Sequence, residues 1–570
     1  MPILVILGNP PYSGHSANKG PWIRDLIEDY KQVDGKPLGE KNPKWLQDDY
    51  VKFLRFAEWK IAQAGQGVVG MITNHSYLDN PTFRGMRQHL MTTFDEIYVL
   101  DLHGNSLKKE TCPDGSPDGN VFDIRQGVAI VFLIKRNDGA HPGRPSRVAH
   151  ADLWGRREGK YAWLQEHDWK TTEWREIRPV SEFYLFTPRD ADLFEQYSRY
   201  IKVTDIFPVN SVGIVTSRDT FVLDFDKNTL ERRIRTFLDP NLPDDVVRQT
   251  FGLSDTSSWK VSVARQALRG DATWKKALVP CLYRPFDRRW LFCHPTVIER
   301  GREEVMRHML ADENVALHTG RAGQVVGGDT WSLAYCAHHI ADFNAFYRGG
   351  ILILPLYLYS LGDRRDLLTT HRPSERRPNL NPELVATLAK AYGQEPSPEE
   401  IFHYVYAVLY APSYREKYAE FLRLDFPRIP FASDPELFKK MAALGERLVE
   451  LHLLRSPELD PPLTRFQGEG DGKVIVSGKK GLRYDAERER VYINGSQYFS
   501  PVSPEVWAYP IGGYQVCHKW LKDRKDRTLT LDEIRTYCRI VTALAQTINI
   551  QQAIDALSPA AEAKTIPLPA

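Results

Sequence analysis

Four short and nearly unbroken apolar runs dominate the first 135 residues: Ile3–Leu7, Gly67–Thr73 (GVVGMIT), Glu96–Leu102 (EIYVLDL) and Gly127–Lys135 (GVAIVFLIK). Runs of this length suit strands. Because they do not alternate with polar residues, both faces of the strands must be covered. Between them, Asp48 to Ala64 carries Val51, Leu54, Phe56, Ala57 and Ile61 at helical spacing, and Phe83–Met91 is a second helical stretch. The pattern predicts an α/β domain with a parallel-rich sheet and helices on both faces.

Beyond this point the pattern changes. Gly139 to Arg178 is polar and rich in Trp, Arg and Gly, as expected of a connection with room for an edge hairpin. After Phe183 the signals are mixed α+β, with helices concentrated from Asn381 to Leu454. Ser397-Pro398-Glu399-Glu400 has the composition of a capping box with proline at the first helical position. Asp434-Pro435-Glu436 opens another helix, and Thr530 with Glu533 caps a last one towards Ala543. Gly468–Gly472 is a flexible joint, and the Ala/Pro-rich tail after Leu557 is expected to be disordered. For 570 residues about three domains are expected. The boundaries fall at 1–150 for the α/β part, 151–190 for the connection, 191–460 and 461–557 for the two later parts, and 558–570 for the tail.

Composition excludes little. A 42% apolar, 26% charged chain has a sizeable core, and a net charge of +2 neither requires nor forbids a nucleic-acid partner. The six cysteines are scattered without a C-x-x-C pair, so neither a zinc module nor a disulfide framework is indicated. The longest apolar stretch, Ile351 to Leu361, contains a proline and is too short to span a bilayer. There is no secretory apolar region at the start. The expectation is a cytoplasmic protein with no membrane partner.

The first apolar run ends at Gly8 and gives way to Asn9-Pro10-Pro11-Tyr12. In open α/β sheets, ligands bind beyond the carboxyl ends of the strands. There Asn9 offers a carboxamide oxygen and Pro10 a carbonyl oxygen, while the two prolines fix φ and hold these acceptors in place. Tyr12 offers a flat face. Two acceptors and an aromatic plate suit a planar ring with an exocyclic amino group, the way a base flipped out of a duplex would be held.

This tetrapeptide after ILVILG resembles the catalytic motif of the gamma-class amino-methyltransferases that act on adenine N6 in DNA. The stretches GVVGMITNHSYLDNPTFRGMRQHL and FDEIYVLDLHGN look like the strands and helices that follow it, and VFDIRQGVAIVFLI looks like the later motif whose aromatic, here Phe122, faces the flipped adenine. Further on, VNSVGIVTSRDTFVLDF from Val209, LYRPFDRRWLFC from Leu282 and ILPLYLYS from Ile353 resemble the C-terminal specificity part of Type ISP restriction–modification enzymes. The resemblance implies a partial Rossmann-like methyltransferase sheet followed by an α+β target-recognition domain with a helical section. It also implies S-adenosyl-L-methionine as cofactor and double-stranded DNA as partner. The site residues it implies are Asn9, Pro10, Pro11 and Tyr12 for catalysis, with Asn9 also against the cofactor. Tyr12 and Phe122 would be the stacking faces, and Arg218, Arg284, Arg288 and Arg289 the DNA contacts. Two looser basic clusters, Arg364, Arg365, Arg372, Arg376 and Arg377, and Lys519, Lys522, Arg524 and Lys525, could add phosphate contacts.

In that class the Gly-rich cofactor loop precedes the tetrapeptide, and here eight residues precede Asn9. The expectation is that an upstream segment or a partner chain carries the loop, or that the chain is a remnant, and that Ile3–Leu7 is a central strand of a sheet whose other half is missing. Asn314 to Gln324 (NVALHTGRAGQ) lacks the acidic residue and the G-x-G spacing of such a loop. Gly470 to Lys480 (GDGKVIVSGKK) lacks the spacing of a phosphate-binding loop. Glu58-Trp59-Lys60 sits on a helical pattern rather than in a nuclease motif, and the adjacent His338 and His339 are structural or DNA-facing. Two other readings remain: a sequence-specific DNA-binding module without catalysis of its own, and an unrelated α/β protein with a chance tetrapeptide.

Overall fold

In a computed structural model, the chain is described for residues 4–568 except 13, 15, 41–42, 137–145, 312, 322–329, 361–375 and 479. It divides into two compact units, Met1–Tyr197 and Ser198–Ala570.

The first unit is built on a six-stranded sheet. In chain order its elements begin with β1 (Val5–Gly8), α1 (Pro21–Glu28), a small hairpin of β2 (Gln32–Val33) and β3 (Lys36–Pro37), and α2 (Asp49–Ala64). They continue through β4 (Gly67–Asn74), α3 (Arg84–Thr93), β5 (Glu96–Asp101), β6 (Val128–Lys135), β7 (Arg147–Asp152), α4 (Arg157–Glu166) and β8 (Arg175–Ile177). The strand order in the large sheet is β1-β4-β6-β5-β7-β8. β1 pairs with β4, and β5 with β7, in parallel. β6 runs antiparallel to both of its neighbours, and β8 antiparallel to β7, so the sheet is mixed rather than parallel. For β6 the reason is local. No helix separates β5 from β6, and a strand that returns without a crossover must pair antiparallel.

Alternating residues serve the two faces, as the pleat requires. Val69, Met71, Ala129, Val131 and Leu133 meet Val51, Leu54 and Ile61 of α2 and Met86 and Leu90 of α3. On the other side Leu100, Leu102, Val128 and Leu153 form a smaller cluster, with Ile72, Ile130, Trp163 and Leu164 against it. The chain leaves α2 and enters β4 through Gly67, where φ is +149° and an added Cβ would lie 2.5 Å from the Leu4 carbonyl oxygen. β1 is the edge of the sheet, and Val5 and Leu7 stand 61% and 75% exposed there. Glu58 is fully buried on α2, where its carboxylate accepts from the Tyr30 hydroxyl at 2.8 Å and lies 2.7 Å from His89 Nδ1. That is a structural role.

The second unit holds small antiparallel-rich sheets and a helical section. One sheet joins Ser211–Val212, Leu352–Pro355, Ala316–Thr319 and Ala334–Ala337. Another joins Leu223–Asp224, Asp287–Phe292, Leu278–Arg284 and Ile340–Ala341. The helix Pro398–Tyr410 opens with the expected capping box of Ser397 and Glu400. Asp434 caps Pro435–His452, and Thr530 with Glu533 closes a capping box on the last helix. That helix, Leu531–Ala563, runs 33 residues and continues into the first part of the segment expected to be disordered. Pro559 is accommodated within it, and Ile554, Ser558 and Ala561 are buried, so tertiary packing holds what composition alone would leave loose. Among the described residues no helix is long and apolar enough to cross a membrane.

Candidate functional site

β1, β4, β5 and β7 point the same way, so their carboxyl ends share one rim, and the start of the antiparallel β6 lies there too. The tetrapeptide leaves β1 at this rim. Pro10 is buried, Asn9 and Pro11 are exposed, and Tyr12 is half-buried. The Tyr12 hydroxyl donates to Asn9 Oδ1 at 3.1 Å. A carboxamide oxygen has two lone pairs, so one acceptor site stays free. Burial pushes the Tyr12 phenol up to about 12, which keeps it a neutral donor at physiological pH. Its ring stands edge-on to Tyr50 at 6.4 Å, and Tyr50 in turn leans on Tyr77 and Phe83. The tyrosine is thereby fixed by buried aromatics rather than left to rotate.

Phe122 lies in the segment leading into β6, at the same rim. It is half-buried and packs with the Leu100–Leu153 cluster, whereas Tyr12 packs with the cluster on the opposite face of the sheet. Its backbone is held at both ends. The Phe122 N–H donates to Asn120 Oδ1 at 2.8 Å, and Arg157 Nη2 donates to the Phe122 carbonyl at 2.8 Å.

Sequence reasoning missed a polar cluster on this rim. His75 follows β4, Asp101 closes β5, His103 and Glu110 lie in the loop beyond, and His150 and Asp152 lie on β7. His75 Nδ1 is 3.0 Å from Asp101 Oδ1. Burial works against the imidazolium, but the Asp101 charge and hydrogen bond outweigh it, and the His75 pKa is raised. Burial likewise opposes ionisation of Asp101, and His75 and His103 overcome it, so its carboxyl is held below the usual range. The signal was present in the strings TNHS, LDLHG and AHAD, each a His beside a strand end, but no spacing in the sequence joins them.

In the second unit the four candidate arginines differ. Arg218 stacks on Trp259 at 3.9 Å, donates to the Val297 carbonyl at 3.0 Å and lies 3.6 Å from Glu299. Arg284 lies over Tyr283 at 3.9 Å and 3.2 Å from Asp342. Arg289 sits over Tyr283 at 3.7 Å and Phe225 at 4.2 Å and pairs with Asp287 at 2.9 Å. Only Arg288 of the four is exposed. Of the looser clusters, Arg364, Arg365 and Arg372 fall outside the described residues, while Arg376 and Arg377 are exposed. Arg524 is buried, 3.0 Å from Asp287 and stacked on Trp520 at 3.3 Å; Lys522 and Lys525 are exposed, and Lys519 pairs with Asp523 at 2.5 Å. The Gly-rich stretch Asn314 to Gln324 lies partly outside the described residues, and Ala316–Thr319 within it is an interior strand of a sheet.

The first unit thus offers a mixed sheet with a proline-fixed polar corner, and the second offers stacked arginines on small sheets. Residues 205–552 match the Type ISP C-terminal specificity domain, and the chain belongs to that family. No curated protein matches it. Solved structures that share the fold include the following. A complex of DrdV with DNA is 24% identical with a TM-score of 0.69, covering 97% of this chain and 57% of that one. The ATP-dependent Type ISP restriction–modification enzyme LlaBIII, bound to DNA, is 22% identical with a TM-score of 0.70, covering 97% and 37%. A nuclease-deletion mutant of the Type ISP enzyme LlaGI, in complex with a DNA substrate mimic, is 21% identical with a TM-score of 0.65, covering 97% and 44%. The chain therefore spans less than two thirds of the length of each of these proteins.

Proposed function

We propose that this chain is the DNA-recognition part of a Type ISP restriction–modification enzyme and carries the base-holding corner of its adenine-N6 methyltransferase. The observation that carries the reading is the placement of Asn9 to Tyr12 at the carboxyl end of a sheet strand, in a chain whose second unit belongs to the specificity family. The DNA-bound states of the structural relatives support the partner. A flipped adenine would give its amino hydrogens to Asn9 Oδ1 and the Pro10 carbonyl and lay its ring on Tyr12, with Phe122 approaching from the other side and Pro11 stiffening the turn. Orientation of the amine is the whole contribution of these residues. Arg288, with Arg376, Arg377, Lys522 and Lys525, would meet the phosphates, while Arg218, Arg284 and Arg289 brace the aromatic platform beneath.

S-adenosyl-L-methionine would supply the methyl group. The residues present fit the base side of that reaction and not the cofactor side. The edge next to Asn9 is the free flank of β1, lined by Val5 and Leu7, and among the described residues none supplies a Gly-rich loop with an acidic partner there. That free edge is where an upstream segment or a partner chain bearing the loop would pair. The same observation favours a second reading, a specificity module that binds DNA without catalysis of its own.

Labelled S-adenosyl-L-methionine and unmethylated DNA separate the two. Label on adenine N6 that is lost in Asn9→Ala supports the first reading. Specific binding without label, by wild type and Asn9→Ala alike, supports the second. In either case Arg288→Ala should weaken DNA binding about uniformly across sequences and reduce the salt slope by about 1. An unchanged slope would remove Arg288 from the contact surface.

A further inference from the structure

The rim of the first unit holds a second arrangement that base capture does not use. A cavity of about 340 Å³ opens there, walled by His75, Asp101, His103, Glu110, Asp152 and Trp154. One donor atom from each of His75, His103 and Glu110 lies within 4.8 Å of the others. His75 Nε2 is 3.9 Å from Glu110 Oε1. Around an ion with bonds of 2.0–2.1 Å the donors would stand about 3.3 Å apart, so the three groups need to close by about 1.5 Å at most.

Each group is already oriented from behind. His75 presents Nδ1 to Asp101 Oδ1 at 3.0 Å, which leaves Nε2 turned to the cavity, where it faces the Asn105 amide at 3.1 Å and Glu110 Oε1 at 3.9 Å. Asp101 Oδ1 also accepts the His103 backbone N–H at 2.9 Å. His103 presents Nε2 to Asp152 Oδ1 at 2.8 Å, and its ring lies flat on Trp154, 3.3 Å away and tilted by 12°. Glu110 takes the Asn105 N–H on Oε2 at 2.8 Å, leaving Oε1. Lys108, on the cavity wall, is directed to Asp79 at 3.4 Å, and Arg175 and Arg189 also line the cavity. A carboxylate behind each imidazole is the arrangement that fixes a metal-binding tautomer.

We propose that His75, His103 and Glu110 bind a divalent first-row transition ion of the zinc type, with Asp101 and Asp152 positioning the two imidazoles. Two nitrogens and one carboxylate suit such an ion and leave at least one coordination position open. The ion would tie the turn after β4 to the loop after β5, beside the base-holding corner. This inference is independent of the proposed function.

The test uses the whole chain, stripped with chelator and titrated with zinc chloride against a chromophoric competitor, then with cobalt(II) as a spectroscopic probe. One ion per chain is expected, with cobalt absorption bands free of thiolate charge transfer and a rise in melting temperature on loading. Glu110→Gln, which keeps size and folding, should lower the affinity tenfold or more, and Asp101→Asn, which touches no ion, should lower it about 10–100-fold. Stoichiometry below one, a thiolate spectrum, or equal affinity in wild type and a folded Glu110→Gln would each overturn the proposal.

Discussion

At the scale of single residues, the chain spends polar groups in two ways. Asn9 is exposed and accepts from Tyr12, and this local corner was legible from four consecutive letters, because prolines act on their own neighbours. Arg87 is the opposite case. It is fully buried, and its guanidinium donates to the carbonyls of Tyr77 at 2.6 Å, Asn80 at 2.9 Å and Phe183 and Tyr184 at 3.0 and 2.9 Å. Burial lowers its pKa to about 9, still high enough to keep it charged at neutral pH. Arg87→Met is expected to lower unfolding stability by about 3 kcal/mol or more, because two buried carbonyls and two half-buried ones lose their donor. The midpoint in urea, at unchanged slope, measures it. Nothing in the sequence marks this arginine, since its partners lie up to 97 residues away. The same distance problem hid the pairing of Arg284 with Asp342 and of Arg524 with Asp287.

At the scale of elements, apolar runs and caps located strands and helices closely. The run Glu96–Leu102 became Glu96–Asp101, and Asp48 to Ala64 became Asp49–Ala64. Strand direction was not legible, because an apolar run reads the same both ways; β6 returns antiparallel with no helix before it, whereas β8 is antiparallel to β7 although α4 lies between them. Close approach of helices was equally hidden. Gly445, inside Pro435–His452, faces helix Pro398–Tyr410 so tightly that an added Cβ would lie 1.8 Å from the His403 carbonyl oxygen. Removing glycine from a helix interior normally gains about 1 kcal/mol. Here the obstacle is backbone, which cannot rotate aside, so overpacking of about 1–3 kcal/mol should prevail and Gly445→Ala should melt below wild type. A rise in melting temperature would show that the two helices separate easily.

At the scale of the molecule, the second unit encloses neutral histidines. His452 is completely buried between the Tyr406 hydroxyl at 2.6 Å and the Thr547 hydroxyl at 3.0 Å, and burial pushes its pKa down to about 3. His318 is pushed down similarly. The unfolded chain takes up these protons from about pH 6.5 downward while the folded chain refuses them, so stability is full above that value and falls with acidity by about 1.4 kcal/mol per pH unit for each group. Between pH 7 and pH 5, His452→Gln should lose about 2 kcal/mol less than wild type, read from urea midpoints at the two values. The sequence by itself determined the periodicities, the caps and the corner at Asn9 to Tyr12, because each depends on residues within a turn or a strand of one another. Only the tertiary structure decided which strands lie antiparallel, that β1 stands at an open edge, and that His75, His103 and Glu110 share one cavity. Those outcomes rest on contacts between segments far apart in the chain, where sterics and buried hydrogen bonds choose the partner and local propensity has no influence.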